Sequence, residues 1–187
     1  ICKPGGMRKD ISNENLKEIV DVLNGLKAEI KTITDVFVED ASVKNRMTGV
    51  GVLTKEEAIE LCAVGPTVRG SGVVQDIRLT GNHGVSHLLD FEPVVEEAGD
   101  CMARTKVRIR EVFQAIELIE KAVSQIPDGP VDCKVPKTVD GEFAIRLEQP
   151  RGEGFYYAKG AGTKFLKRMR VRTPTNINIP ALVKALG

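Results

Sequence analysis

The sequence has no tryptophan, and aromatic residues make up only 4% of its 187 residues. That scarcity argues against the base-stacking platforms with which proteins grip single-stranded nucleic acid. It has no dominant charge: the net value is +1 at pH 7, so no bulk field steers it towards nucleic acid or an acidic substrate. Its apolar runs fall far short of the roughly 20 residues that a membrane-spanning helix needs, and no signal peptide is visible. Cysteine is sparse. Cys2, Cys62, Cys101 and Cys133 stand at long, irregular intervals, and no Cys-x-x-Cys occurs. That pattern argues against a zinc ribbon or a redox pair and fits isolated thiols in a reducing cytosol. His83 and His87 have the spacing of a helix-borne ligand pair, but Gly81, Asn82 and Gly84 disfavour a helix and no third ligand is evident. Low-complexity segments and internal repeats are absent. A chain that begins with Ile1 reads as a piece of a longer protein.

What is present is ordinary for a globular protein: 42% hydrophobic and 28% charged residues, in a chain long enough to bury roughly 70% of its unfolded surface. Ser12 reads as an N-cap, and apolar residues at helical spacing from Leu16 to Ile33 predict a helix reaching Val36, with Asn24-Gly25 a point for a kink. Thr54-Lys-Glu-Glu57 has capping-box spacing and opens a second helix running through Cys62. Asp100 caps a third, whose apolar positions run from Met102 to Ile126. Residues 77–98 read mostly as loop. Beyond the Pro127-Asp-Gly-Pro130 stop the period changes to two: strands are expected at 143–148, 154–159 and 164–172, the last two joined by a Lys159–Gly162 turn, with a closing helix Ala181–Leu186. The fold class is α+β: long amphipathic helices followed by a small antiparallel β-meander. The expected division is a mainly helical core over 1–126 and the meander with its closing helix over 127–187, in one compact unit.

Two stretches carry the functional signal. Glu148-Gln-Pro-Arg-Gly-Glu-Gly154 sets Arg151 between a rigid Pro150 and a permissive Gly152; Arg172-Thr-Pro-Thr175 sets Thr175 behind Pro174. Two roles are open to Arg151: a turn arginine paired with Glu148 or Glu153, or a side chain aimed at something polar or anionic. The other motifs read more plainly. Gly65-Pro-Thr-Val-Arg-Gly-Ser-Gly72 lacks the Gly-Lys-Ser/Thr of a phosphate loop and reads as a tight inter-helix loop. The basic run Arg104, Lys106, Arg108 and Arg110 reads as the wet face of an amphipathic helix. Arg168, Arg170 and Arg172 share one face of the last strand and suit a solvated or partner-facing surface, with an anionic-partner binding module as the alternative. Cys62 and Cys101 read as buried structural thiols.

These motifs, in this order and over nearly the whole chain, resemble the large subunit of NiFe hydrogenases, in the energy-converting, membrane-associated branch that is homologous to the hydrogenase-like subunit of respiratory complex I. The resemblance is carried by Pro4-Gly-Gly-Met-Arg-Lys-Asp10, Gly49-Val-Gly-Val-Leu53, Ala63 through Val73, Asp76-Ile-Arg78, Gly99-Asp100 with Arg104, Arg108 and Glu111, Pro150-Arg-Gly-Glu153, and Arg172-Thr-Pro-Thr175 through Asn178-Ile-Pro-Ala-Leu182. It implies the central part of the hydrogenase large-subunit fold and a full subunit whose nickel–iron centre, held by two Cys-x-x-Cys pairs, interconverts 2H⁺ + 2e⁻ and H₂. It further implies that Arg151 sits over the open face of the metals, that Thr175 donates a hydrogen bond to a cyanide on iron, and that Pro150 and Pro174 fix the walls. Implied partners are an iron–sulfur small subunit and membrane subunits, with cytoplasmic placement at the membrane through those partners. This sequence departs from the pattern in lacking both cysteine pairs, so the expectation is that the chain binds no nickel and is inactive alone, and that faces meant for missing segments drive self-association. In the complex I branch the same region borders a quinone cavity of an NADH:quinone oxidoreductase, and no metal is implied.

Overall fold

A computed structural model describes residues 2–80 and 84–187. His83 lies outside the described residues, so the His83/His87 pairing goes no further.

The first described elements form a small hairpin, β1 (Cys2–Lys3) and β2 (Gly6–Met7). Helix α1 runs Asn13–Glu39, and the Ser12 side chain accepts from Asn15 N at 3.3 Å. It passes unbroken through Asn24-Gly25; a single helical glycine costs about 1 kcal/mol and does not interrupt the ladder. Asp40 ends α1 and caps α2 (Ala41–Met47). Helix α3 (Lys55–Glu60) carries the full capping box, Thr54 and Glu57 each accepting from the other's backbone N–H. The segment read as a tight loop contains α4 (Pro66–Arg69), one helical turn with Pro66 at its first position. The fixed φ of proline and its missing N–H suit that position.

The described residues of the 77–98 stretch are irregular, with short 3₁₀ turns at Ile77–Thr80 and Ser86–Leu88. Helix α5 (Cys101–Gln125) starts at Asp100, whose carboxylate accepts from Ala103 N at 2.7 Å and also from Gly49 N at 2.8 Å. Strands β3 (Glu142–Gln149), β4 (Gly152–Lys159) and β5 (Arg168–Arg172) form an antiparallel sheet in the order β3-β4-β5. β5 starts four residues later than predicted, after a loop rather than a tight turn. Helices α6 (Pro174–Ile177) and α7 (Ile179–Leu186) close the chain.

Leu53, Ala58, Ala63, Val68 and Ala181 form one buried cluster, which seats α7 against α3 and α4. Helix α5 lies against α1, α2 and α4. Its buried residues are Met102, Ala103, Val107 and Ile116, whereas Val112 and Ile119 of the predicted stripe are exposed. A helix gripped from two directions buries positions that one helical stripe cannot mark. Helices α1 and α7 leave large apolar side chains in the open, among them Ile33, Val36, Leu182, Val183 and Leu186.

Candidate active site

The register Gln149↔Gly152 makes Pro150-Arg151 the two-residue tip of the β3–β4 hairpin. The tip is pressed against the start of α4. A Cβ on Gly65 (φ +68°) would lie 2.4 Å from Gly152 Cα and 2.5 Å from Arg151 O; one on Gly152 (φ +120°) would lie 2.7 Å from Gly65 N. Both contacts are below any real Cβ separation and both partners are backbone, so only glycine permits this approach. Gly65→Ala is therefore expected to destabilise the chain by about 2 kcal/mol or more and to push the Arg151 tip away. Urea unfolding checks the first; a midpoint equal to that of the parent chain would refute the close approach.

Asn178, between α6 and α7, ties in the second motif. Its Oδ1 accepts from Val64 N at 2.8 Å, and its Nδ2 donates to Val64 O at 3.0 Å. The side-chain amide thus satisfies both polar groups of a largely buried backbone unit, which would be costly to leave unpaired. Val64 holds the α6–α7 corner, and its neighbour Gly65 holds the hairpin tip. Arg151 and Thr175 are thereby anchored to the same short stretch of backbone.

The result is a cavity of about 310 Å³ with Arg104, Arg108, Arg151 and Thr175 on its polar side and Leu53, Ile179, Ala181 and Leu182 among its apolar walls. A neighbouring recess of about 350 Å³ is lined by Pro150, Arg151, Pro174 and Thr175. All four predicted site residues thus meet in one place; Pro174 is buried, and Pro150, Arg151 and Thr175 are exposed. The salt-bridge reading of Arg151 is corrected. Glu148 is bound to Arg69 at 3.0 Å, and Glu153 faces Arg146 at 3.7 Å and accepts from Gln75 Nε2 at 3.3 Å. Arg151 makes no hydrogen bond or ion pair with any described residue.

The wet-face reading is corrected for Arg104, which is half-buried; Arg108 is exposed, as that reading has it, and also borders the cavity. Four residues apart on α5, they present one face to the cavity. Arg104 is clamped, its Nη1 donating to Gly99 O at 2.6 Å and its Nη2 to Gly51 O at 2.8 Å. Burial lowers the Arg108 guanidinium from its ordinary value; Glu111 opposes this, while Arg104, Arg151 and Arg69 add repulsion. Three converging guanidiniums make the cavity an electropositive recess suited to an anion or a strong hydrogen-bond acceptor. Cys62 and Cys133 are exposed and Cys101 half-buried, against the buried-thiol reading of Cys62 and Cys101. Arg168, Arg170 and Arg172 stand on exposed β5.

The family model for the respiratory-chain NADH dehydrogenase 49 Kd subunit matches residues 1–140. The chain belongs to this family. The membrane-bound hydrogenase subunit alpha of Pyrococcus furiosus is 35% identical over 97% of the chain and 47% of its own length. An NADH-quinone oxidoreductase subunit of Geobacillus thermodenitrificans is 33% identical over 97% of the chain and 51% of its own length. Among solved structures, a chain of the membrane-bound sulfane sulfur reductase, an archaeal respiratory membrane complex, superposes with a TM-score of 0.85 at 29% identity, over 98% of this chain and 56% of that one. The chain spans about half the length of the curated relatives it matches. The family fold is thus shared by subunits of hydrogenases and of NADH-quinone oxidoreductases, both oxidoreductases, and the α+β expectation holds.

Proposed function

We propose that this chain is the central part of the catalytic large subunit of an energy-converting NiFe hydrogenase, with the reaction 2H⁺ + 2e⁻ ⇌ H₂. The observation that carries the reading is the meeting of Arg151, with no partner of its own among the described residues, and Thr175 around one cavity that Arg104 and Arg108 also border. Among the described residues no group of three or more His, Cys, Asp or Glu is placed to hold a metal ion. On this reading the chain contributes donors rather than ligands, and thiolates would come from outside these 187 residues. A cationic fork and a hydroxyl fit the acceptor ends of cyanide and carbonyl on iron.

The bound centre supplies the redox chemistry. Arg151 polarises or orients what lies against its guanidinium. Thr175 donates a hydrogen bond, and Pro150 and Pro174 limit the travel of both. Arg104 and Arg108 keep the recess positive, and the Leu53, Ile179 and Leu182 wall limits water. Partners on this reading are an iron–sulfur small subunit and membrane subunits, with the chain on the cytoplasmic side. Among the described residues no helix is long and apolar enough to cross a membrane.

A second reading is favoured by the family match itself: an NADH:quinone oxidoreductase subunit, with the apolar wall facing a quinone ring and Arg151 its carbonyl. Metal analysis of the parent complex separates the two. Stoichiometric nickel with viologen-driven H₂ evolution is expected; a nickel-free complex that reduces a short-chain quinone with NADH would overturn the hydrogenase reading and establish the second.

A further inference from the structure

The β3-β4-β5 sheet carries a surface that neither reading uses. Glu153 is the last acidic residue of the sequence, and seven lysines and arginines follow it. The whole chain stands at +1, so positive charge is collected at this end. Arg168, Arg170 and Arg172 of β5 hold three of those charges. Their cross-strand partners on β4 are Lys159, Tyr157 and Phe155, and directly opposed residues share one face of a sheet. The acid on that face at the outer end is taken: Glu142 holds Lys159 and accepts from Tyr157 Oη at 2.7 Å. All five residues of β5 are exposed, and its three guanidiniums make no hydrogen bond or ion pair with any described residue.

The other face of the same sheet is apolar and also open. Met169 lies beside Ala158 and then Phe143; Val171 lies beside Tyr156 and then Ile145. Phe143, Met169 and Val171 are 66%, 55% and 46% exposed. The edge is a third feature. β5 pairs only with β4, and among the described residues no backbone group bonds it from its other side. Alternate residues of such a strand direct unpaired N–H and C=O groups outward. One strand thus offers backbone donors and acceptors, a cationic face and an apolar face. We infer that β5 is a docking edge for an extended segment of a partner protein, one that alternates acidic and apolar residues and adds to the sheet as its fourth strand. Its acids meet Arg168, Arg170 and Arg172, and its apolar residues continue the row of Met169 and Val171. RNA meets the guanidiniums but leaves the backbone edge and the apolar row in water. An anionic lipid surface offers the backbone edge no partner. A second copy of this chain is disfavoured, because two β5 strands side by side set one arginine face beside another.

The test uses the 187-residue chain and a fluorescent, end-blocked peptide about as long as β5 that alternates glutamate and valine. Binding is expected in an anisotropy titration at low salt, and it should weaken as salt is raised. Arg170→Glu, at the middle of β5, is expected to weaken it about 10-fold or more, because an attraction becomes a repulsion. Arg170→Gln should fall between the two. Arg170 is exposed and has no partner to lose, so both variants are expected to keep the fold, with unchanged circular dichroism. Strand addition has a readout of its own. Methylating the peptide nitrogens at one alternate set of residues should abolish binding, and methylating the other set should leave most of it, since only one set faces the edge. Equal tolerance of both sets would reveal plain charge attraction and overturn strand addition. No binding at low salt would overturn the docking edge altogether. Tighter binding of oligouridylate or of phosphatidylglycerol vesicles than of the peptide, lost in Arg170→Glu, would overturn the proposed occupant. Neither metal nor substrate enters these measurements, so they stand or fail separately from the hydrogenase reading.

Discussion

On the hydrogenase reading, Arg151→Lys made in the complete enzyme is expected to lower turnover about 100-fold or more with nickel still bound. The side chain has no partner among the described residues to lose, so the fold is indifferent to the change: the unfolding free energy should move by no more than about 0.5 kcal/mol, as for other exposed positions without a special role. A lysine keeps the charge but replaces a planar fork with a compact, strongly hydrated point charge on a flexible stem. At a site where orientation and low hydration carry the effect, charge alone does not rescue. H₂-evolution rates set beside nickel content check this, and turnover unchanged at full nickel loading would remove Arg151 from the mechanism. Asn178→Ala is a positional counterpart: it frees the corner that holds Thr175 near Val64.

Arg69→Met is expected to be the most damaging single substitution for folding, costing about 3–5 kcal/mol. The reason is not that the ion pairs are worth that much. Removing the guanidinium takes from Glu111 and Glu148 the counter-charge they share, and strands Gln75 O. The penalty is that of desolvated charge, so it should shrink in the double variant Arg69→Met/Glu148→Gln, which removes one of the two carboxylates. Chemical unfolding of the parent and the two variants checks both statements. A loss below about 1 kcal/mol in the single variant would show that water reaches the cluster and that it behaves as a surface pair.

The same arginine marks where local sequence patterns stop being informative. Arg69 sits among Gly, Pro, Thr and Ser, a composition that reads as a turn, and one helical turn is too short for periodicity to reveal. Its partners lie 42 and 79 residues away, so no local pattern could pair them. Arg104 and Arg108 were hidden for a different reason. Their spacing on α5 was legible, but a charged helical face looks the same whether it meets solvent or a recess, until the hairpin tip and α7 are brought over it. The capping bonds, by contrast, are local. Ser12, Thr54-Glu57 and Asp100 each bond within three residues, which is why the starts of α1, α3 and α5 could be placed from the sequence alone.

Much of the order of local elements was therefore written in the chain: where α1, α3 and α5 begin, where the period changes from 3.6 to 2, and that Arg151 and Thr175 each stand in a rigid frame, because caps, prolines and alternation act over a few residues; α2 and the single turn of α4 were not. Which side chains share a space was decided only by tertiary contacts. The Gly65–Gly152 backbone approach and the Asn178–Val64 clamp bring residues 151 and 175 to one cavity, and burial converts Arg69 from a turn residue into the centre of the charge cluster behind it. Such effects depend on close steric fit and on exclusion from water, and neither exists until the chain has folded.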